Sequence, residues 1–152
     1  MRIMIKSNQE IKVKLKAKVL IEFNGNLLLL RPTNKSKLTL IGGTVNSSET
    51  PVQAIIREAY EEAGIVLTPD DLKTFVSGKT MINNKPTLLY CFLVRHKNMM
   101  FELKEKHKFE LIGWAPIRTG LKKLRGAEKE LSNELVQRYI MNAVDRYRLK
   151  SI

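Results

Sequence analysis

Every odd-numbered position over 11–23 is apolar: Ile11, Val13, Leu15, Ala17, Val19, Ile21 and Phe23. Lys12, Lys14, Lys16 and Lys18 occupy the other parity. A period of two is the period of a β-strand, whose successive side chains leave opposite faces. Wound into a helix, the same residues would scatter around the axis. The pattern therefore predicts a strand with one buried face and four ammonium groups on the other, and it excludes a membrane-surface helix. Asn24-Gly25 follows, a dipeptide that tolerates positive φ at both central positions of a tight hairpin turn. Residues 26–31 return as the partner strand, ended by Pro32.

A polar loop over 33–37 then leads to a short apolar run and to Gly42-Gly43. Thr50, Pro51 and Gln53 form a helix start, with a capping hydroxyl, a proline at the first helical position and a capping-box partner. Gly64 is placed to end that helix in a left-handed cap. Between them Val52, Ile55, Ile56, Ala59 and Ala63 recur at helical spacing as the core-facing stripe. Further strands are expected over 72–76, 87–95, 99–103 and 111–115, with a turn over 83–86. A helix is expected over 127–147, with Leu131, Leu135, Tyr139, Ala143 and Tyr147 on one stripe. No repeat or linker divides the chain, so one domain over 1–152 is expected, of α+β class, with a mixed sheet between helices.

With 152 residues, 43% hydrophobic and 28% charged, the chain is long and apolar enough to bury a core. Cys91 is the sole cysteine, which excludes an internal disulfide and a multi-cysteine metal site and fits a reducing compartment. Apolar runs such as 27–30 and 88–94 are too short to span a bilayer, and the opening MRIMIKSNQE has no signal-peptide core. The expectation is a cytoplasmic protein with no membrane partner. Twenty-seven Lys+Arg against 15 Asp+Glu leave a charge of +12, which attracts polyanions without naming one.

Chemistry is concentrated in the stretch over 43–65, GTVNSSETPVQAIIREAYEEAGI, a glycine loop entering a helix that carries Glu58, Glu61 and Glu62. At about 100° per residue these three fall within an arc of about 100°, read as an exposed face away from the core stripe. Clustered carboxylates repel unless a cation sits among them. Oxygen-only ligands suit Mg²⁺, with Mn²⁺ as a substitute, and such an ion seeks phosphate oxygens. The bland alternative is a solvated acidic face with Arg57 and Glu61 paired at i,i+4.

The spacing of these residues resembles the Nudix box, G-x5-E-x7-R-E-U-x-E-E-x-G-U with U aliphatic. Its fixed positions fall on Gly43, Glu49, Arg57, Glu58, Glu61, Glu62 and Gly64, with Ala59 and Ile65 at the aliphatic places. The hairpin over 18–31 and the Trp114-Ala115-Pro116 strand end extend the likeness. The resemblance implies an α/β/α sandwich and Mg²⁺-dependent hydrolysis of a nucleoside diphosphate linked to some group X. It implies Glu58, Glu61 and Glu62 as metal ligands with the Gly43 carbonyl, Glu61 being the favoured anchor. Glu58 would also polarise the attacking water. Arg57 belongs with this catalytic group as an orienting partner for Glu49 or Glu61, while Gly42, Glu49 and Gly64 are structural. A general base from outside the box is sought among Glu102, Glu105 and Glu110. Leu38 and Ile41 depart from the tryptophan and proline that many relatives carry before the double glycine, which implies altered loop packing or base stacking.

Substrate signposts are sparse. Met81 stands roughly where ADP-ribose hydrolases have a proline, the tyrosine of diadenosine polyphosphate hydrolases is missing, and no SQPWPFP segment follows. The chain is most similar to nucleoside triphosphate pyrophosphohydrolases, acting as a monomer or homodimer on a nucleotide or another diphosphate-linked small molecule. The first alternative is an RNA 5′-end pyrophosphohydrolase, using the Lys12–Lys18 row and the Lys122, Lys123, Arg125 cluster. The second is a non-catalytic Nudix-fold nucleotide-binding regulator, which intact box carboxylates argue against. His96 and His107 read as surface residues, Cys91 as an inert core thiol, and Tyr90, Phe92, Phe109 and Trp114 as packing residues.

Overall fold

The computed structural model describes residues 2–4 and 10–141. Asn24 (φ 50°) and Gly25 (φ 78°) make the expected hairpin turn between β3 (Lys14–Phe23) and β4 (Asn26–Pro32). The strand expected over 11–23 is divided: β1 (Arg2–Met4) pairs antiparallel with β2 (Glu10–Lys12), and β3 begins after Val13. β3 is the centre of the main sheet. It runs parallel to β7 (Lys85–Arg95) and pairs with β4 only at Glu22 and Phe23. Its earlier residues pair with β5 (Ile41–Thr44), with Lys16 opposite Thr44 and Lys18 opposite Gly42. β6 (Thr74–Ile82) and β8 (Phe109–Pro116) complete a mixed sheet in the order β6-β7-β3-β4-β8.

Helices cover both faces, as the α/β/α expectation requires. Helix α1 (Pro51–Ala63) carries the Thr50–Gln53 capping box and ends at Gly64, φ 65°. Its Ala54, Ile55, Ala59 and Ala63 pack with Ala17, Val19 and Ile21. On the other face α2 (Ile117–Lys123) and α3 (Gly126–Tyr139) set Leu121, Leu135 and Val136 against Leu20, Leu27 and Leu93. α2 is short and was not expected from the sequence. The tail helix ends at Tyr139, and Ala143 and Tyr147 lie outside the described residues. No helix among the described residues is long and apolar enough to cross a membrane.

Two expectations are corrected. Residues 99–103 are not a strand. Met99, Phe101 and Leu103 do turn toward the core, but the backbone there bonds to a helix end. Glu102 N–H donates to the Ala63 carbonyl and Lys104 N–H to the Glu62 carbonyl, each at 3.1 Å. Alternating burial was legible; the hydrogen-bond partner was not. Similarly, Leu72 belongs to a 3-10 turn (Pro69–Leu72), and β6 starts two residues later.

The lysine face is the second correction. Lys12 and Lys14 are exposed and Lys16 is half-buried, but Lys18 is only 7% exposed. A central strand between two helical layers has no solvent face along its middle. The Lys18 ammonium is stabilised there by Thr39 Oγ1 (3.2 Å), the Leu40 and Gly42 carbonyls (3.2 and 3.3 Å), and Glu128 at 3.7 Å. Glu128 in turn accepts from Thr39 Oγ1 and the Leu40 N–H. Burial opposes ionisation of Glu128, yet Lys18 and these donors hold its carboxyl below the usual range.

Candidate metal centre

Two glycines set the approach of the loop to helix α1. Gly42 has φ 140°, and a Cβ there would lie 2.1 Å from the Ala17 carbonyl oxygen. At Gly43 a Cβ would lie 2.8 Å from Glu58 Oε1, so the missing side chain leaves the space into which that carboxylate leans. Glu62, one turn beyond Glu58, turns inward and accepts from the Gly42 N–H at 2.8 Å.

Glu105 reaches the same place from the loop pinned along the end of α1. One carboxylate oxygen each of Glu58, Glu62 and Glu105 lies within 4.8 Å of the others. Oε1 of Glu105 is buried without a hydrogen-bond partner, while its other oxygen meets Lys108 Nζ at 3.1 Å. Burial pushes the Glu62 carboxyl up to about 8; Lys18 and the Gly42 N–H pull it down, and Glu58 adds to the rise. Glu58, set against the Gly43 cradle, and Glu62 are hard oxygen donors at a separation that fits Mg²⁺ or Mn²⁺, with the unpartnered Glu105 oxygen facing them.

The sequence expectation of one exposed face with three carboxylates is therefore corrected. Glu62 is 2% exposed, Glu58 is half-buried and Glu61 is exposed. Helical geometry explains it: Glu62 lies seven residues beyond Ile55, about 20° short of two turns, on the border of the apolar stripe. Glu61, the favoured anchor, stands apart from the converged group and pairs with Arg57 at 3.2 Å.

Arg57 organises the rim. It donates to both Glu49 oxygens (Nη2 at 2.6 Å, Nε at 3.1 Å), to Glu58 Oε1 at 2.9 Å and to the Thr44 carbonyl at 3.3 Å. The two-pronged contact holds the Glu49 carboxyl below its usual range, and Glu49 first, then Glu58, raise the guanidinium further. Glu49 also accepts from the Asn46 N–H at 2.9 Å, tying the loop to the helix.

Of the three outside glutamates, Glu105 alone joins the group. Glu102 is exposed, and Glu110 is held by Arg31 Nη2 at 3.1 Å and the Asn34 N–H at 3.0 Å. Elsewhere the bland readings stand. His96 and His107 are exposed, and Cys91 is buried, its thiol pushed up to about 12 by burial. What sequence reasoning missed is Lys18, whose ammonium lies beyond the Gly42 peptide from Glu62. Periodicity along one strand carries no signal of a second covering layer.

The NUDIX domain family model matches residues 16–135. Among solved structures, the solution structure of the E. coli ORF135 protein is similar with a TM-score of 0.69 and 22% identity, covering 88% of this chain and 96% of that one. The MutT protein from Methanosarcina mazei Go1 gives 0.69 and 22%, covering 86% and 98%. The MutT NUDIX hydrolase from Burkholderia pseudomallei gives 0.60 and 20%, covering 93% and 98%. At these identities the likeness is one of fold. No curated protein matches the chain. The family model spans most of the chain and includes every box residue converging here, so this chain belongs to the NUDIX domain family, as a pyrophosphohydrolase.

Proposed function

We propose that the chain hydrolyses a nucleoside diphosphate linked to a further group, with a nucleoside triphosphate as the favoured substrate and Mg²⁺ as the cofactor. The observation that supports this most is the convergence of Glu58 and Glu62 from α1 with Glu105 from a loop more than forty residues on. When bound, a divalent ion supplies charge neutralisation for the diphosphate oxygens and lowers the pKa of a coordinated water.

The chain's own groups divide the remaining work. Glu58 and Glu62 would hold the ion, and the Gly42 N–H fixes the Glu62 carboxylate. Arg57, anchored by Glu49, orients Glu58 and keeps Glu61 at the rim. There Glu61 would add a carboxylate ligand for a divalent ion. Glu105, with an unpartnered oxygen, takes the proton of the attacking water. Glu102 and Glu110 have no part in this reading. The intact carboxylates argue for turnover and against a purely regulatory module.

The test is a nucleotide panel with Mg²⁺ and with Mn²⁺, products identified by mass. Metal-dependent release of a nucleoside monophosphate is expected. No turnover of any diphosphate-containing nucleotide with either ion would overturn the reading.

A further inference from the structure

Each carboxylate of the converged group has a neighbour that orients it. Glu62 accepts from the Gly42 N–H and Glu58 from Arg57. For Glu105 that neighbour is Lys108, a residue the proposed reaction leaves without a role. The backbone around Glu105 is tied on both sides. Lys104 N–H donates to the Glu62 carbonyl, and the Glu105 carbonyl accepts from the N–H groups of Lys108 and Phe109 at 3.0 and 3.1 Å. These bonds fix the Cα but not the carboxylate, whose terminal torsion is soft and roughly two-fold. What holds it is Lys108 Nζ, 3.1 Å from Oε2. Among the described residues this carboxylate has no other partner, and Oε1 stays buried and unpaired, facing Glu58 and Glu62.

Lys108 is placed from a different part of the chain. Its carbonyl accepts from the Thr33 N–H at 2.8 Å, where the loop after β4 meets the start of β8. Two nearby lysines do not compete for Glu105. Lys104 Nζ lies over the Tyr60 ring, 4.2 Å from its centroid, and Lys106 is exposed with no ion-pair partner among the described residues. Glu105 first, with the charges of Glu58 and Glu62 adding to it against burial, holds the Lys108 ammonium above its usual range. The cation therefore persists beside all three carboxylates.

As a stabilising contact this pair is weak: the Lys108 side chain is 58% exposed, and water screens it. Its effect on a proton acceptor is of another kind. A base must present a lone pair within hydrogen-bond reach of the proton it takes. A carboxylate pinned at Oε2 presents Oε1 to that place at every turnover, whereas a rotating one presents it only part of the time.

We infer that Lys108 is a positioning residue for the hydrolysis, holding Oε2 of Glu105 so that Oε1 faces the attacking water. The inference rests on the reading of Glu105 as the base. The proton of the water goes to Oε1, and Lys108 neither gives nor takes one.

Steady-state kinetics at saturating metal, on the nucleotide that the panel shows to be cleaved, tests this. Lys108→Met keeps the stem and removes the charge. Its kcat should fall about 10-fold, less than the roughly 100-fold that misplacing a reacting group by an ångström costs. KM should stay within about two-fold of wild type, as for a group that does not touch substrate. Lys108→Arg keeps a charged donor and should recover most of the loss. Lys106→Met, the same change of charge two residues away, should be kinetically silent. In a Glu105→Gln background Lys108→Met should cost nothing further, because two residues acting through one contact are not additive. Melting curves of all variants should superimpose on wild type, which separates positioning from folding.

A silent Lys108→Met beside an impaired Glu105→Gln, or a loss carried by KM, would overturn the role of Lys108. So would equal losses in Lys106→Met and Lys108→Met, no recovery in Lys108→Arg, or losses that multiply in the double variant. An unimpaired Glu105→Gln enzyme would instead count against Glu105 as the base.

Discussion

The carboxylate of Glu62 accepts a hydrogen bond from the backbone N–H of Gly42 at 2.8 Å while only 2% of the residue is exposed. One contact thus joins the box helix to the double-glycine loop and leaves an ionisable group in a desolvated place. In the metal-free protein its folded pKa, about 8 against 4.5, is raised. The folded state then binds the extra proton, so this group's contribution to stability is fully present below about pH 4.5 and is lost as pH rises toward 8. In EDTA-treated protein the melting temperature should fall across that window. Glu62→Gln should flatten the fall, and excess Mg²⁺ or Mn²⁺ should raise the wild-type melting temperature most at the alkaline end. A pH-independent melting curve in the apo protein would contradict the assignment.

Glu105→Gln separates the outside base from its neighbours. It should lower kcat by about 10² to 10⁴, the range of a lost general base. Glu102→Gln and Glu110→Gln should stay within a few-fold of wild type. Steady-state kinetics at saturating metal decides it; an unimpaired Glu105→Gln enzyme returns that role to another group.

Arg57 holds Glu49 with two hydrogen bonds and Glu58 with one. Lysine keeps the charge but cannot reproduce the fork. Arg57→Lys should therefore weaken metal binding by about 10- to 100-fold, the scale seen when a ligand's supporting partner is removed. Titration calorimetry with Mn²⁺ would measure it.

Gly42→Ala introduces a Cβ 2.1 Å from the Ala17 carbonyl at a positive φ. A cost on the order of 3 kcal/mol or more is expected. Gly113→Ala, where a Cβ meets nothing within 4 Å, should change stability by less than about 1 kcal/mol. Urea denaturation of the pair tests whether steric contact, rather than loss of a glycine, sets the difference.

The local grammar of the chain was readable because its causes are local. Thr50, Pro51, Gln53 and Gly64 bound α1 as capping chemistry requires, and Asn24-Gly25 turns the hairpin because both residues tolerate positive φ. The box residues were likewise found by spacing. Around the site, three things were not legible: the burial of Lys18, the inward turn of Glu62, and the choice of Glu105 over Glu102 and Glu110. Each depends on what packs against the residue from elsewhere in the chain. α2 and α3 close the second face over Lys18, the Gly42 N–H reaches Glu62 across the β5–α1 contact, and the backbone pairing of Glu102 and Lys104 with the end of α1 positions Glu105. Sequence alone determined the hairpin turn, the bounds of α1 and the spacing of the box residues, since these follow from propensity and spacing along one segment. The tertiary structure decided which carboxylates converge and which charges are withdrawn from water, because burial and electrostatic coupling are properties of neighbours that the chain brings together only when it folds.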